Sequence, residues 1–304
     1  MVLCHSGGVS SSRVYFAIDG RNHISYVVTV EFVKVDPETN MSRLISAPFF
    51  SAHPVFSRAE YAAAVGRRPG DKVVTAMLTQ HLQAGNIRRV ARGVFASVPK
   101  HADAGKWSVD RFLAGSRLRR GGVIGYHSAL ELHGCAYTEG HDVQVIAPGE
   151  PGVFEAVGFT CRFVKPPRGF APPDGVTAVD RLGLEVSVTT IERTIADLFD
   201  RYDLAGDAEE LFNSLDLVAR VDAAALVRYA RALGNATAAG ALGSWLEREQ
   251  KRLGVPDAAL EALRTLAPSQ ARYALGTKSG EGRTAKGWNV ILPIDVVERR
   301  FEGL

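Results

Sequence analysis

The sequence predicts an α+β fold. Three features carry that reading: helix caps and an alternating hairpin packed into residues 57–98, several short strand-like runs between 142 and 189, and helices with Leu and Ala faces from 207 to 266. The chain has 304 residues, enough for two modest domains and an extension. Its 46% hydrophobic and 23% charged content fits a soluble globular protein. No apolar run approaches the roughly 20 residues of a membrane span.

Residues 1–40 read as an N-terminal extension. "HISYVVTVEFVKVD" alternates apolar and polar residues, as a strand does, while Met41 offers a second start shortly before the first capped helix. Both readings stand at this point. The N-terminus has neither a basic n-region nor a continuous apolar h-region, so no secretory leader is expected. Cys4, Cys135 and Cys161 are odd in number and lack C-x-x-C spacing, which points to a reducing cytoplasm.

The first domain is expected over residues 41–100. A helix in "MSRLISAPFFSAHP" would open it, kept short by Pro48. "FSRAEYAAAVG" follows, with Ser57 as N-cap, Glu60 completing a capping box and Gly66 as the stop. "RRPGDK" is a tight turn. The next helix, "DKVVTAMLTQHLQAG", ends at Gly85. One of its faces carries Val74, Met77, Leu78 and Leu82; the other carries Lys72, Thr75, Ala76, Thr79, Gln80 and Gln83 and has no acid. "NIRRV", a turn at "ARG", and "VFASV" then form a two-stranded hairpin. Two helices around a tight turn followed by a hairpin describe a winged helix-turn-helix.

"HADAGKW" is a small polar linker into a mixed α/β domain over 107–304. "SVDRFLAGSRLR" is expected as a helix, and "VIGYHSALELHG" is helical around Ser128 to Leu132 with Gly134 as its stop. "DVQVIAP" and "TCRFVKP" read as strands separated by a loop, and "GLEVSV" as another. "TTIERTIADLFDRY" is an amphipathic helix opened by Thr189 and Glu192 as a capping box. A helical region of about 205–268 follows, broken at Gly234, "LGVP" and Pro268. "RYALGTKSGEGRTAKGWNVILP" reads as a strand, a basic glycine-rich loop and a strand. The loop's four cations across 272–287, against one acid, make it a second possible contact surface, though an ordinary surface loop is the simpler reading.

Charge is unevenly placed. The net charge is +3, yet residues 56–100 carry eight Lys or Arg and two acids, a balance of +6 that leaves the remainder at −3. Such a module suits a polyanion. Phosphate neutralisation would supply affinity and base edges specificity. The second helix would enter the major groove through Lys72, Thr75, Ala76 and Thr79, whose short side chains allow close approach. Arg67 and Arg68, in the turn, would reach a flanking phosphate, and Arg88, Arg89 and Arg92 would make a basic wing. Strict alternation puts Arg88 and Arg92 on one side of the strand if no bulge intervenes, with Arg89 on the other. His81 falls near the apolar face and reads as a packed histidine.

Motifs for catalysis are missing. His127, His133, Cys135, His141 and Asp142 cluster in sequence, but His127 and His133 lie about 240° apart on a helix, and no H-x-x-x-H or C-x-x-C supports a metal site. There is no G-x-S-x-G, no P-loop and no D-x-D, and "CRFVK" supplies Lys165 without the glutamate of a nuclease E-x-K. No catalytic residue, metal or cofactor is therefore expected, and the chain reads as a non-enzyme.

The order of "HPVFSRAEYAAAVG", "LQAGNIRRVARGVFASVP", "GYHSALELHG", "VTTIERTIADLF" and, weakly, "GWNVILPIDV" resembles the AbiEi-type antitoxins of type IV toxin–antitoxin systems, over about five-sixths of the chain. The resemblance implies a repressor of its own operon that binds repeated promoter sites in double-stranded DNA, and a C-terminal domain that counteracts a nucleotidyltransferase-class toxin. On the family's pattern Arg88, Arg89 and Arg92 match basic DNA-facing positions, whereas "TQHLQ" is less basic than in many relatives. The oligomeric state stays open, a monomer binding repeated sites cooperatively being one form. The alternative is a winged-helix regulator that responds to a small ligand and has no toxin.

Overall fold

The computed structural model describes residues 46–100, 107–156, 158–167, 169 and 174–298. The proposed extension at 1–40, most of the linker and Cys4 lie outside the described residues. The chain is mixed α+β with three separate sheets. The described part begins with helical backbone at 46–52 (α1), in which Pro48 falls near the start. Strand β1 (Val55–Ser57) leads into α2 (Arg58–Ala64), whose Ser57–Glu60 capping box is formed in both directions. Gly66 then takes φ +67° and ends the turn that follows. Helix α3 (Lys72–Gln83) is capped by Asp71, which accepts from the Val73 amide at 2.9 Å. Strands β2 (Ile87–Ala91) and β3 (Val94–Ser97) form the hairpin, and β1 closes an antiparallel sheet of order β1-β3-β2.

Both faces of this small sheet are buried. Phe56, Ile87 and Phe95 join Tyr61, Val74 and Leu78 in a core beneath α2 and α3. Val55, Val90, Val94 and Ala96 belong instead to a second core with Phe112, Leu113 and Ala114 of α4 (Arg111–Leu118). Strict alternation along β1 and β3 sends neighbouring residues to opposite cores. Residues 49–304 accordingly form one compact unit.

The central sheet has the order β6-β7-β5-β4-β9-β8. Its strands are β4 (Val123–Ile124), β5 (Asp142–Ile146), β6 (Gly152–Ala156), β7 (Phe159–Val164), β8 (Val176–Arg181) and β9 (Leu184–Thr189). Strands β4 and β9, and β5 and β7, run parallel; the other neighbours are antiparallel. In this sheet the sequence reading missed β4, β6 and β8. Strand β4 has only two residues, and β6 and β8 are sheet rims, where exposure weakens the alternation that marks a strand. Helix α4 packs on one sheet face, close enough that a Cβ on Gly115 would sit 2.8 Å from Val143 Cγ1. On the other face lie α5 (Tyr126–Leu132) and α6 (Ile191–Asp200).

The start of α6 corrects the expected capping box. Thr190, not Thr189, is the N-cap and accepts from the Arg193 amide. The Thr189 hydroxyl is turned to Thr194 Oγ1 at 2.7 Å, and Glu192 accepts from the Asp222 amide at 3.0 Å. Arg193 meets an acid of its own helix, Asp197, at 3.4 Å, and donates to the Asp174 carbonyl at 2.6 Å. Burial pushes the Asp197 carboxyl up to about 7 despite that pairing.

Beyond a 3₁₀ turn at Tyr202–Leu204 come α7 (Ala208–Asp216), α8 (Ala223–Leu233), α9 (Ala236–Arg248), α10 (Gln250–Leu253) and α11 (Asp257–Arg264). A third sheet, β10-β12-β11, is built from β10 (Arg272–Tyr273), β11 (Gly282–Ala285) and β12 (Val290–Pro293), followed by α12 (Ile294–Glu298). In the basic segment Arg283 pairs with Glu298 at 2.5 Å. Trp288, fully buried, packs against α9, where a Cβ on Gly243 would come within 2.0 Å of its ring. Gly243→Ala should therefore destabilise the chain by about 1–3 kcal/mol through overpacking, seen as a lower urea midpoint; an unchanged midpoint would show that the ring moves freely.

Candidate nucleic-acid interface

The outward face of α3 consists of Lys72, Thr75, Ala76, Thr79, Gln80 and Gln83, all exposed, while Val74 and Leu78 are buried beneath it. His81 is buried among Phe50 and Tyr61 and lies 3.3 Å from Asn86 Nδ2, a packed histidine as expected. The two threonines are more engaged than their positions alone suggest. Thr79 Oγ1 donates to the Thr75 carbonyl at 2.8 Å, and Thr75 Oγ1 lies 3.3 Å from the Asp71 carbonyl. Thr75 Oγ1 also accepts from Arg58 Nη2 at 2.5 Å. Both hydroxyl protons are thus directed to backbone carbonyls one turn back.

Arg58 is the residue that sequence reading passed over. Besides Thr75 it donates to the carbonyls of Pro69 and Asp71, and its own amide donates to the Gly93 carbonyl at 2.7 Å. One residue thus ties the start of α2 to the inter-helix turn, to α3 and to the hairpin tip. In the turn, Arg67 pairs loosely with Asp71 at 3.6 Å, and Arg68 is exposed.

The hairpin corrects the expected arginine pairing. Arg88 lies opposite Ala96 and Arg89 opposite Phe95, but Ala91 is opposite Val94, so a bulge falls at Val90. The alternation that would have joined Arg92 to Arg88 is broken there. Arg88 shares the face of Ala96, toward α4; it is half-buried, with its guanidinium 5.2 Å from the Trp107 ring. Arg89 shares the face of Phe95, the α3 side, and is exposed with its guanidinium 5.9 Å from that ring. Arg92, at the tip beside Gly93, is exposed too. The solvent-facing pair is Arg89 and Arg92, not Arg88 and Arg92.

Comparison with known proteins places the fold but no family. No family model and no curated protein matches the chain. Among solved structures, it is similar to the crystal structure of the RV2827C protein from Mycobacterium tuberculosis, with a TM-score of 0.58 over 85% of this chain and 94% of that one. At 15% identity the likeness concerns the fold alone.

A second cluster joins the elements behind the basic module. His127 on α5 lies between two carboxylates, 3.5 Å from Glu131 Oε1 and 2.9 Å from Glu210 Oε1 on α7. Glu210 also accepts from the Thr138 amide and hydroxyl and from Ser214 Oγ. Arg111 of α4 binds Glu131 and the Gly140 carbonyl. Burial alone would lower the imidazole pKa, but the hydrogen bonds to Glu131 and Glu210 outweigh it and hold His127 at about 9. Burial likewise pushes the Glu210 carboxyl up, and bonds from His127, Thr138 and Ser214 reverse this to about 2. The two carboxylates thus favour the protonated imidazole of His127. Its partners are 83 residues apart for Glu210, a spacing no local motif displays.

Clefts of about 700 and 600 Å³ flank the loop carrying Tyr137, Thr138, Glu139 and His141. Among the described residues no group of three His, Cys, Asp or Glu is arranged to hold a metal, and no helix is long and apolar enough to cross a membrane.

The His127 cluster makes stability depend on alkaline pH. Its folded pKa lies above the ordinary 6.5, so the stabilisation is complete below that pH and is lost as pH rises through about 9. Chemical denaturation between these limits should show a loss of up to about 3 kcal/mol. His127→Gln should remove most of the slope; a variant retaining the full slope would assign it elsewhere.

Proposed function

We propose that residues 49–100 form a winged helix that binds double-stranded DNA, with α3 in the major groove and the β2–β3 hairpin as the wing. The observation that carries this reading is an exposed, acid-free α3 face beside Arg89 and Arg92, in a module whose sheet is buried on both faces. Lys72, Thr75, Ala76 and Thr79 approach base edges, Arg67 and Arg68 reach flanking phosphate, and Arg89 and Arg92 grip the backbone or minor groove. Arg88 supports the wing by packing on Trp107 rather than by touching DNA.

The chain as a whole acts, in this proposal, as the antitoxin and autorepressor of a type IV toxin–antitoxin operon in the cytoplasm, a DNA-binding protein and not an enzyme. It recognises repeats in its own promoter and counteracts a nucleotidyltransferase-class toxin. The antitoxin half rests on the order of sequence motifs that resemble the AbiEi type. A second reading, a regulator that answers to a small ligand, draws on the cleft lined by Asp110, Arg111 and Phe112. These residues begin α4, whose body packs on β1 and β3 and whose Arg117 pairs with Glu60 of α2 at 3.4 Å. Ligand-dependent operator release would favour that reading. Rescue of growth on co-expression with a nucleotidyltransferase from the adjacent gene would favour the first.

A gel shift with the chain's own upstream DNA tests the common core. Arg89→Ala with Arg92→Ala should weaken binding to every sequence and flatten its salt dependence by about one unit of slope per lost phosphate contact. Arg88→Ala should leave that slope in place. Unchanged affinity and slope in the double variant would remove the wing from the interface. Thr79→Ala should alter sequence preference, by about 1–3 kcal/mol at one base pair; a uniform loss over all sequences would contradict a base contact.

A further inference from the structure

The arginines of the basic module stand everywhere except on α3. Residues 56–100 carry eight Lys or Arg, and Lys72 is the only one within Lys72–Gln83. That distribution limits what the helix can read in a major groove. Arginine or lysine reads guanine through O6 and N7, glutamine or asparagine reads adenine through N6 and N7, and an apolar side chain meets the 5-methyl group of thymine. On α3 the second and third kinds are present, and the first is reduced to one flexible side chain at the helix start.

Val73, Ala76 and Gln80 follow one another at i, i+3 and i+7 and form a single exposed stripe. Val73 is 38% exposed, although Val74 and Leu78 of the same helix are buried. Ala76 offers a methyl group and nothing else. A lone exposed valine is ordinary on a protein surface. Here it shares its stripe with a second methyl and a primary amide, on a helix with neither acid nor arginine. The threonines on the other flank do not supply the missing donors. Thr75 Oγ1 is 3.3 Å from the Asp71 carbonyl and accepts from Arg58, and Thr79 Oγ1 donates to the Thr75 carbonyl at 2.8 Å. So bonded, each hydroxyl can accept from the exocyclic amine of adenine or cytosine but has no proton for guanine O6 or N7.

We propose, resting on the DNA-binding reading above, that α3 recognises A·T base pairs: Val73 and Ala76 meet thymine 5-methyl groups, and Gln80 pairs with adenine N6 and N7. Affinity and sequence choice then fall to different residues. The arginines of the turn and the wing neutralise phosphate and carry no sequence information. The uncharged stripe of α3 adds little binding on its own and decides which sequence is held. Lys72 can serve one guanine or a phosphate, so G·C pairs are at most a minor part of the site.

Duplexes selected on the full chain from a random-sequence pool test this. Their shared core should consist chiefly of A·T pairs. Replacing the core thymines by uracil, one at a time, keeps each base pair and removes only the 5-methyl group. At one position or more this should weaken binding about fourfold, the effect of one buried methyl group. Val73→Ala, an exposed change that favours the helix, should bind the thymine and uracil duplexes alike at one of those positions. Gln80→Ala should relax the choice of A·T at another. A selected core of G·C pairs, or binding indifferent to uracil at every position, overturns the A·T assignment and leaves DNA binding itself standing. A uracil penalty that Val73→Ala leaves unchanged at every position overturns the placement of Val73 against thymine. A chain that binds no duplex overturns both this assignment and the DNA-binding reading.

Discussion

The structure of the basic module depends on one constraint: its three-stranded sheet is buried on both faces. Phe56, Ile87 and Phe95 lie under α2 and α3, while Val55, Val94 and Ala96 lie against α4. Each of the Phe, Ile and Val side chains among them contributes roughly 1.5–3 kcal/mol when removed from water. A one-residue slip would drive the large set, Phe56, Ile87 and Phe95, into the space of the smaller Val55, Val94 and Ala96, so side-chain size specifies the register. With both sheet faces occupied, most of the module's basic side chains stand on the outer face of α3, in the inter-helix turn and on the hairpin. These are where Lys72, Arg67, Arg68, Arg89 and Arg92 stand. The proposed DNA contacts follow from what the core leaves uncovered.

Helix α4 is the joint between this sheet and the rest of the chain. Its apolar face belongs to the core shared with β5, β7 and β9, and Gly115 lets it settle onto Val143. Its ends carry the polar connections, Arg111 to Glu131 at one end and Arg117 to Glu60 at the other. Buried ions add little net stability once desolvation is counted, but removing one partner leaves the other uncompensated. The His127, Glu131, Glu210 and Arg111 cluster therefore acts chiefly to fix how α4, α5 and α7 meet. Arg58 plays the comparable part inside the module, since it bonds to the turn, to α3 and to the hairpin tip at once.

Much of this was legible in the sequence wherever the determining chemistry is local. Ser57 and Glu60 announced α2, Gly85 ended α3, and Gly134 and Gly234 stopped their helices, because caps and positive-φ glycines act within one turn. The outward face of α3 followed from helical periodicity. What escaped depends on partners distant in the chain or on small departures from regularity. The bulge at Val90 breaks a two-residue rhythm with nothing in "IRRVARG" to signal it, and it reverses the parts assigned to Arg88 and Arg89. Thr189 and Thr190 are adjacent and chemically alike, so only the end of β9 decides which of them caps α6. Strands β6 and β8 were hidden because rim residues need not alternate. Glu210 could not be joined to His127, since only the packing of α7 on α5 brings them together.

The central claim is that DNA meets the outer face of α3 and the α3 side of the hairpin, while the opposite side of the same strand stays with the protein. Hydrogen–deuterium exchange of the full chain, with and without its own upstream DNA, tests this most directly. The account predicts new protection over residues 66–80 and 89–93, and none around Trp107 or along α4. Protection centred on α4, or none in the module under conditions where DNA is bound, would contradict it.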